Sequence, residues 1–141
     1  MPKFGSASLA QLMTCHQDLQ TIANEAIKYI DFSITEGHRG KEAQELAFAK
    51  GNTQLHYPHG NHNKLPSLAF DFAPFPVDWA EGFSNTERWC FVAGYIMLAA
   101  EILLAQGKIT HRARWGGDWN RNDDTRDEHF RDRPHIELVP V

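Results

Sequence analysis

The chain has 141 residues, 42% of them hydrophobic and 23% charged, the size and composition of one soluble globular domain with a core of its own. A net charge of −4 argues against nucleic acid as the main partner. The opening Met1-Pro2-Lys3-Phe4-Gly5 lacks the apolar run of a secretory signal, and the most apolar stretch, 91–104, is broken by Glu101 and falls short of the roughly 20 residues of a membrane span. That stretch reads as a buried helix, and the expectation is that nothing exports the chain by the usual route.

In chain order, Leu9, Leu12, Cys15, Leu19, Ile22, Ala26 and Ile30 recur at three or four, which predicts one long amphipathic helix with Ser8 as its cap. Residues 32–35 read as a strand, 41–49 as a second helix ended by Gly51, and 52–66 as a polar loop carrying His56, His59 and His62. Residues 68–73 alternate with period two. Leu68, Phe70 and Phe72 then share the core face, and Asp71 points the other way between the small Ala69 and Ala73. A third helix starts at Asn85 or Thr86, runs to Gln106 and stops at Gly107. Between 111 and 135, six Arg are matched by six acidic residues, which reads as a solvated loop. Ile136 and Leu138 form the core face of a short terminal strand; His135 points the opposite way, and Asp132 lies in the turn before it. Cys15 and Cys90 fall in separate predicted helices and read as core thiols. With no repeat, low-complexity tract or linker, the expectation is a single α+β domain over 1–141, its helices packed on a mostly antiparallel sheet and its site on strand ends and loops.

The chemistry lies in His62, Asp71, Asp132 and His135. Two imidazoles and one carboxylate fill three corners of a zinc tetrahedron and leave the fourth to a water that the other carboxylate can deprotonate, the outline of a hydrolase. Because His56, His59 and His62 follow at intervals of three, a neighbouring imidazole could serve in place of His62. Trp115 and Trp119 flank Gly116-Gly117 as a cleft wall or as packing. Asp118-x-Asn120-x-Asn122 is similar to the start of a calcium loop, but Asp123 stands where the turn wants Gly and His129 where a bidentate Glu belongs.

The order of these motifs resembles the zinc D,D-peptidase and L-alanyl-D-glutamate peptidase family, and its phage endolysin branch over nearly the whole chain. The residues that carry the resemblance are Phe4-Gly5 before a helix, Thr35-Glu36-Gly37-His38-Arg39, Ala47-x-x-Lys50-Gly51, Asp71-Phe72-Ala73-Pro74 and Arg114-Trp115-Gly116-Gly117-Asp118-Trp119. The resemblance implies His62, Asp71 and His135 as Zn2+ ligands, Asp132 as catalytic acid/base and Arg39 as the residue that binds or polarises substrate. Two departures stand out: Gly60 replaces a Ser common in the family, and the gap between His62 and Asp71 is longer than usual, so the commoner gap would put Lys64 at the ligand position. Pro66-Ser67 reads as the insertion that lengthens it. The implied substrate is the peptide stem of bacterial peptidoglycan, cut between L-Ala and D-Glu by a monomeric phage or prophage lysis enzyme. Such an enzyme accumulates in the host cytoplasm and reaches the wall with a membrane-permeabilising phage protein. The rival readings are a D-Ala-D-Ala carboxypeptidase or dipeptidase of the same family and a non-catalytic wall-binding or metal-binding module.

Overall fold

The computed structural model describes residues 2–141. Its elements are α1 (Ser6–Leu12), α2 (Gln17–Ala26), β1 (Phe32–Glu36), α3 (Lys41–Ala49), a 3-10 turn at Asn61–Asn63, β2 (Ala69–Pro74), α4 (Phe83–Ala105), β3 (Arg112–Trp115) and β4 (His135–Val139). The four strands form one antiparallel sheet in the order β1-β2-β4-β3, the α+β architecture read from the sequence.

Period-two alternation divides the sheet into two chemically different faces. On one, Phe32, Ile34, Phe70, Phe72, Ile136 and Leu138 are buried and meet α2 and α4 in a single core. On the other, cross-strand pairs set Glu36 opposite Asp71, Asp71 opposite His135, and Glu137 opposite both Ala69 and Arg114. Glu36 reaches this face because the register shifts between Ile34 and Glu36, a bulge that re-aims one side chain.

The long first helix of the sequence reading is two helices. The chain leaves α1 after Leu12 and pairs backbone with residue 67: Ser67 N–H donates to Thr14 O and His16 N–H to Ser67 O, each at 2.8 Å. Hydrophobic spacing runs through the break because Cys15 stays buried at the joint. Ser8 lies inside α1 and is not its cap. Ser8, Gln11 and Thr14, three apart on one face, instead accept the N–H groups of Ile34, Gly37 and His38, which closes the edge of β1. The cap of α2 is His16, whose Nδ1 accepts Asp18 N–H at 3.0 Å.

Three other expectations need correction. The stretch 111–135 is not all loop, since β3 lies in it, its Ala113 and Trp115 turned into the core and too few to mark a core face in the sequence. The third helix begins earlier, at Phe83 after Gly82 with φ of 135°, and Cys90 on it is exposed, not a core thiol. With 23 residues, and mean hydropathy of 1.6 in its most apolar window, α4 is long and apolar enough to match a membrane span by length and composition. Here it lies on the sheet with Val92, Ile96 and Leu103 in the core, so only one face is buried; Phe91, Tyr95, Leu98 and Ile102 stay exposed.

Asp18 joins the start of α2 to the start of β3. Its Oδ2 accepts Thr110 N–H at 3.0 Å, His111 N–H at 3.2 Å, and also the Thr110 hydroxyl and His111 Nδ1. Burial would raise its pKa, but these bonds outweigh burial and hold it below the usual value. A depressed carboxyl stabilises the fold above about pH 4 and loses that contribution as pH falls through its folded pKa. Asp18→Ala is expected to lower the unfolding free energy by about 1–3 kcal/mol near neutral pH, since two backbone N–H groups lose their acceptor. Urea unfolding measures this, and the deficit should shrink at pH 3.

Candidate metal centre

The polar face of the sheet brings together the two halves of the site that the sequence could not connect. Asp71 is on β2 and His135 on β4, paired directly, while His62 comes from the 3-10 turn above them. His62 Nε2 lies 3.0 Å from Asp71 Oδ1 and 3.2 Å from His135 Nδ1, and His135 Nδ1 lies 3.4 Å from Asp71 Oδ1. This triangle of donor atoms could hold a metal ion.

Local structure fixes each corner. His62 Nδ1 is 2.7 Å from the carbonyl of Gly37; a carbonyl only accepts, so Nδ1 carries the hydrogen and Nε2 presents its lone pair to the triangle. Gly37 is required there because a Cβ would overlap Thr14 Oγ1 and the carbonyl of Gln11. The remaining imidazole nitrogen of His135, Nε2, lies 2.7 Å from Glu137 Oε1.

Asp132 stands beside the triangle, its Oδ2 3.9 Å from His135 Nδ1, with about a quarter of its side chain exposed. It is held by Gly116: Asp132 N–H donates to Gly116 O and Gly116 N–H to His135 O, each at 2.8 Å. Any side chain at 116 would strike the Asp132 carbonyl, and one at 117 the Trp115 ring, which accounts for the glycine pair.

Arg39 is largely buried behind Asp71. Its guanidinium donates from Nε to Glu36 Oε1 at 2.8 Å, from Nη2 to the same oxygen and to Asp71 Oδ2 at 3.5 Å, and from Nη1 to Gln44 Oε1 at 3.1 Å. Four of its N–H groups are engaged in this way, and the fifth remains available to a ligand.

Charge within the site is strongly interdependent. Burial opposes ionisation of Asp71, but the imidazoles of His62 and His135 outweigh it and hold the carboxyl well below the usual range. Burial and the Asp71 carboxylate push Asp132 up to about 6. For His135, burial would favour the neutral ring, yet hydrogen bonds to Asp71 and Glu137 push it up to about 10. A proton on Nδ1 and a metal cation compete for one place among these acceptors.

Sequence reasoning missed Glu137, Arg114, Gln44 and the Gly37 carbonyl. Glu137 was detectable in principle, being two residues from His135 and so on the same face of a strand. The other candidates for the ligand position lie elsewhere: His56 Nδ1 pairs with Glu45 at 2.8 Å on the surface, His59 is exposed, and Lys64 points toward the carbonyl of Pro58. Trp115 packs in the core with Nε1 donating to Arg133 O, and Trp119 forms a cleft wall against His135. In the loop after β3, Asn120 and Asn122 both donate to Asp127 Oδ2. A second group, His16, Asp18 and His111, also lies close enough for a metal, but its His16 Nδ1 and Asp18 Oδ2 are already spent on the cap and strand anchor described above.

A family model for the phage L-alanyl-D-glutamate peptidases matches residues 1–139. The chain belongs to this family. It is 31% identical over 147 aligned positions to the L-alanyl-D-glutamate peptidase of Escherichia phage T5, covering 97% of this chain and 98% of that protein. It is also 31% identical over 133 positions to the peptidoglycan L-alanyl-D-glutamate endopeptidase CwlK of Bacillus subtilis (strain 168), covering 84% of this chain and 66% of that longer protein. The solved structure of the Serratia marcescens L-Ala D-Glu endopeptidase ChiX aligns with a TM-score of 0.68 over 97% of this chain and 90% of that one; at 22% identity it shows a shared fold.

The geometry separates the three candidate imidazoles. His62→Ala should abolish metal binding measured by equilibrium dialysis, whereas His56→Ala and His59→Ala should retain it. Binding that survives His62→Ala but not His59→Ala would reverse the assignment.

Proposed function

We propose that this family member is a zinc-dependent peptidase that cuts the peptide stem of bacterial peptidoglycan between L-Ala and D-Glu. The donor triangle carries the reading. Tetrahedral zinc with bonds of about 2.0–2.2 Å sets its ligand atoms about 3.3–3.6 Å apart, and edges of 3.0, 3.2 and 3.4 Å need open by only a few tenths of an ångström. Two imidazoles and one carboxylate also suit zinc chemically. His62 Nε2, His135 Nδ1 and Asp71 Oδ1 would hold it.

When bound, zinc supplies Lewis acidity and lowers the pKa of a coordinated water to around 7. Asp132, close to the triangle but outside ligand distance, accepts the proton from the attacking water and returns it to the leaving amine. Its raised pKa suits a group that must both take and give a proton, although a neighbouring dication would draw it back down. Arg39 keeps Asp71 oriented and offers its free N–H to a substrate oxygen.

Two clefts, of about 500 and 630 Å³, adjoin at Arg39, Phe130 and Asp132, one containing His62 and His135 and the other Asp71. A substrate can therefore extend to both sides of the reacting bond, which favours an endopeptidase over a carboxypeptidase that needs one end closed. A carboxylate placed as Asp132 is has no use in a mere binding module. All these side chains come from one chain, which supports action as a monomer. Membership of a phage family supports accumulation in the host cytoplasm, with a membrane-permeabilising phage protein giving access to the wall.

Digestion of purified peptidoglycan, with mass spectrometry of the products, should reveal new D-Glu amino termini that vanish with a chelator; termini at D-Ala instead would favour the carboxypeptidase reading. Asp132→Ala and Asp132→Asn should keep the metal and the fold while hydrolysis falls by roughly 100-fold to 10,000-fold. Wild-type rates in both variants would remove Asp132 from the mechanism.

A further inference from the structure

Glu137 is buried on the polar face, where its cross-strand neighbours are Ala69 and Arg114. Ala69 is small enough to let the carboxylate lean along β4 toward His135, two residues before it on the same face. The two carboxylate oxygens are then divided: Oε2 accepts Arg114 Nε–H at 3.0 Å, and Oε1 meets His135 Nε2 at 2.7 Å. A carboxylate paired with a guanidinium can only accept, so the hydrogen in the second contact belongs to Nε2. An imidazole with its hydrogen on Nε2 has its lone pair on Nδ1, the atom that faces Asp71 and His62. His135 is thereby oriented through the opposite nitrogen from His62, by a side chain where His62 uses a backbone carbonyl.

A structural role for Glu137 would not call for this chemistry. Desolvating a carboxylate is costly, and an aliphatic side chain would fill the same place in the strand. We propose that Glu137, held by Arg114, is a positioning residue that keeps His135 in the Nε2–H tautomer and aims its Nδ1 lone pair into the metal site. The inference rests on the metal reading above and adds to it the residue that prepares one ligand.

Glu137→Gln distinguishes orientation from charge. Arg114 demands an oxygen at the Oε2 position, so the amide must turn its NH2 toward His135 Nε2. That nitrogen must then accept, and the ring hydrogen moves to Nδ1, where it blocks the metal. E137Q should bind zinc about 10-fold to 100-fold more weakly in chelator competition, the usual loss for a group that orients a ligand. Adding Arg114→Met frees the amide to flip its oxygen toward His135, so the double variant should bind zinc more tightly than E137Q alone. Both variants lack the Glu137 charge, and Arg114→Met alone measures what loss of the guanidinium charge does to zinc affinity, so a gain in the double variant beyond that effect reads hydrogen-bond orientation. The visible spectrum of the Co2+-substituted proteins gives a second readout, with the tetrahedral bands weakened in E137Q and recovered in the double variant. A zinc affinity of E137Q equal to wild type, or a double variant no tighter than E137Q, overturns the proposal. If E137Q does not fold, Glu137→Met decides in its place: weaker zinc binding is expected, and wild-type affinity overturns the proposal. Wild-type protein that binds no zinc overturns the metal reading and this inference together, whereas a zinc-binding wild type with an indifferent E137Q overturns this inference alone.

Discussion

The antiparallel register of β2 on β4 sets Asp71 opposite His135, and both the core and the site depend on it. Side chains alternate along a strand, so a slip of one residue would turn Asp71 into the core and Phe70 out of it. Burying Phe70, Phe72 and Ile136 contributes about 1.5–3 kcal/mol each. The same three residues therefore hold the register that brings carboxylate and imidazole together. The geometry of the candidate site thus follows from hydrophobic packing on the reverse face, which sets the two groups opposite each other, and the attraction between carboxylate and imidazole adds to that placement.

That placement concentrates charge where water is scarce. Glu36, Asp71, Asp132 and Glu137 are four carboxylates on one side of the sheet, and Arg39 and Arg114 are the two guanidiniums that touch them. With neutral imidazoles and all four carboxylates ionised, the group carries two uncompensated negative charges, the amount one divalent cation neutralises. The shifts follow the same logic. Burial and the Asp71 carboxylate make Asp132 resist ionisation, and against burial the bonds to Asp71 and Glu137 make His135 hold its proton strongly. Glu137, by contrast, is pulled down to about 2: burial opposes this, but the bonds from His135 and Arg114 outweigh it. It behaves as a fixed anion around which the others adjust.

Much of this was legible in the sequence because period two is a local signal. The alternation at 68–73 and the pair Ile136, Leu138 gave both central strands and the correct outward direction for Asp71 and His135. Elements made by contacts distant in sequence were not legible. The break after α1 exists because Ser67 pairs with the joint, and no spacing within 9–30 reports a partner so far along the chain. In β3, Arg112 and Arg114 stand where an alternating strand shows polar residues, but only Ala113 and Trp115 mark the core face, too few for a pattern. The resemblance names Arg39, but its partner Gln44 acquires meaning only when the turn at 37–40 and the turn at 61–63 come together.

That meeting of turns explains how His62 reaches the candidate site across the longer gap before Asp71. Arg39 N–H donates to His62 O at 2.8 Å, and Asn63 Nδ2 donates to Arg39 O at 2.9 Å. Leu68 N–H donates to Asn61 O at 3.0 Å, tying the turn to the start of β2. The chain between 61 and 68 is pinned at both ends, so added residues can only bulge outward, and Leu65 does so with 75% of its surface exposed. His62 is thus located by what holds its own backbone and Nδ1, independently of how many residues precede Asp71. Counting from Asp71 selects Lys64, whereas counting from the tied turn selects His62. A side chain carried on a loop can be as well fixed as one on a strand when each of its polar groups has a designated partner.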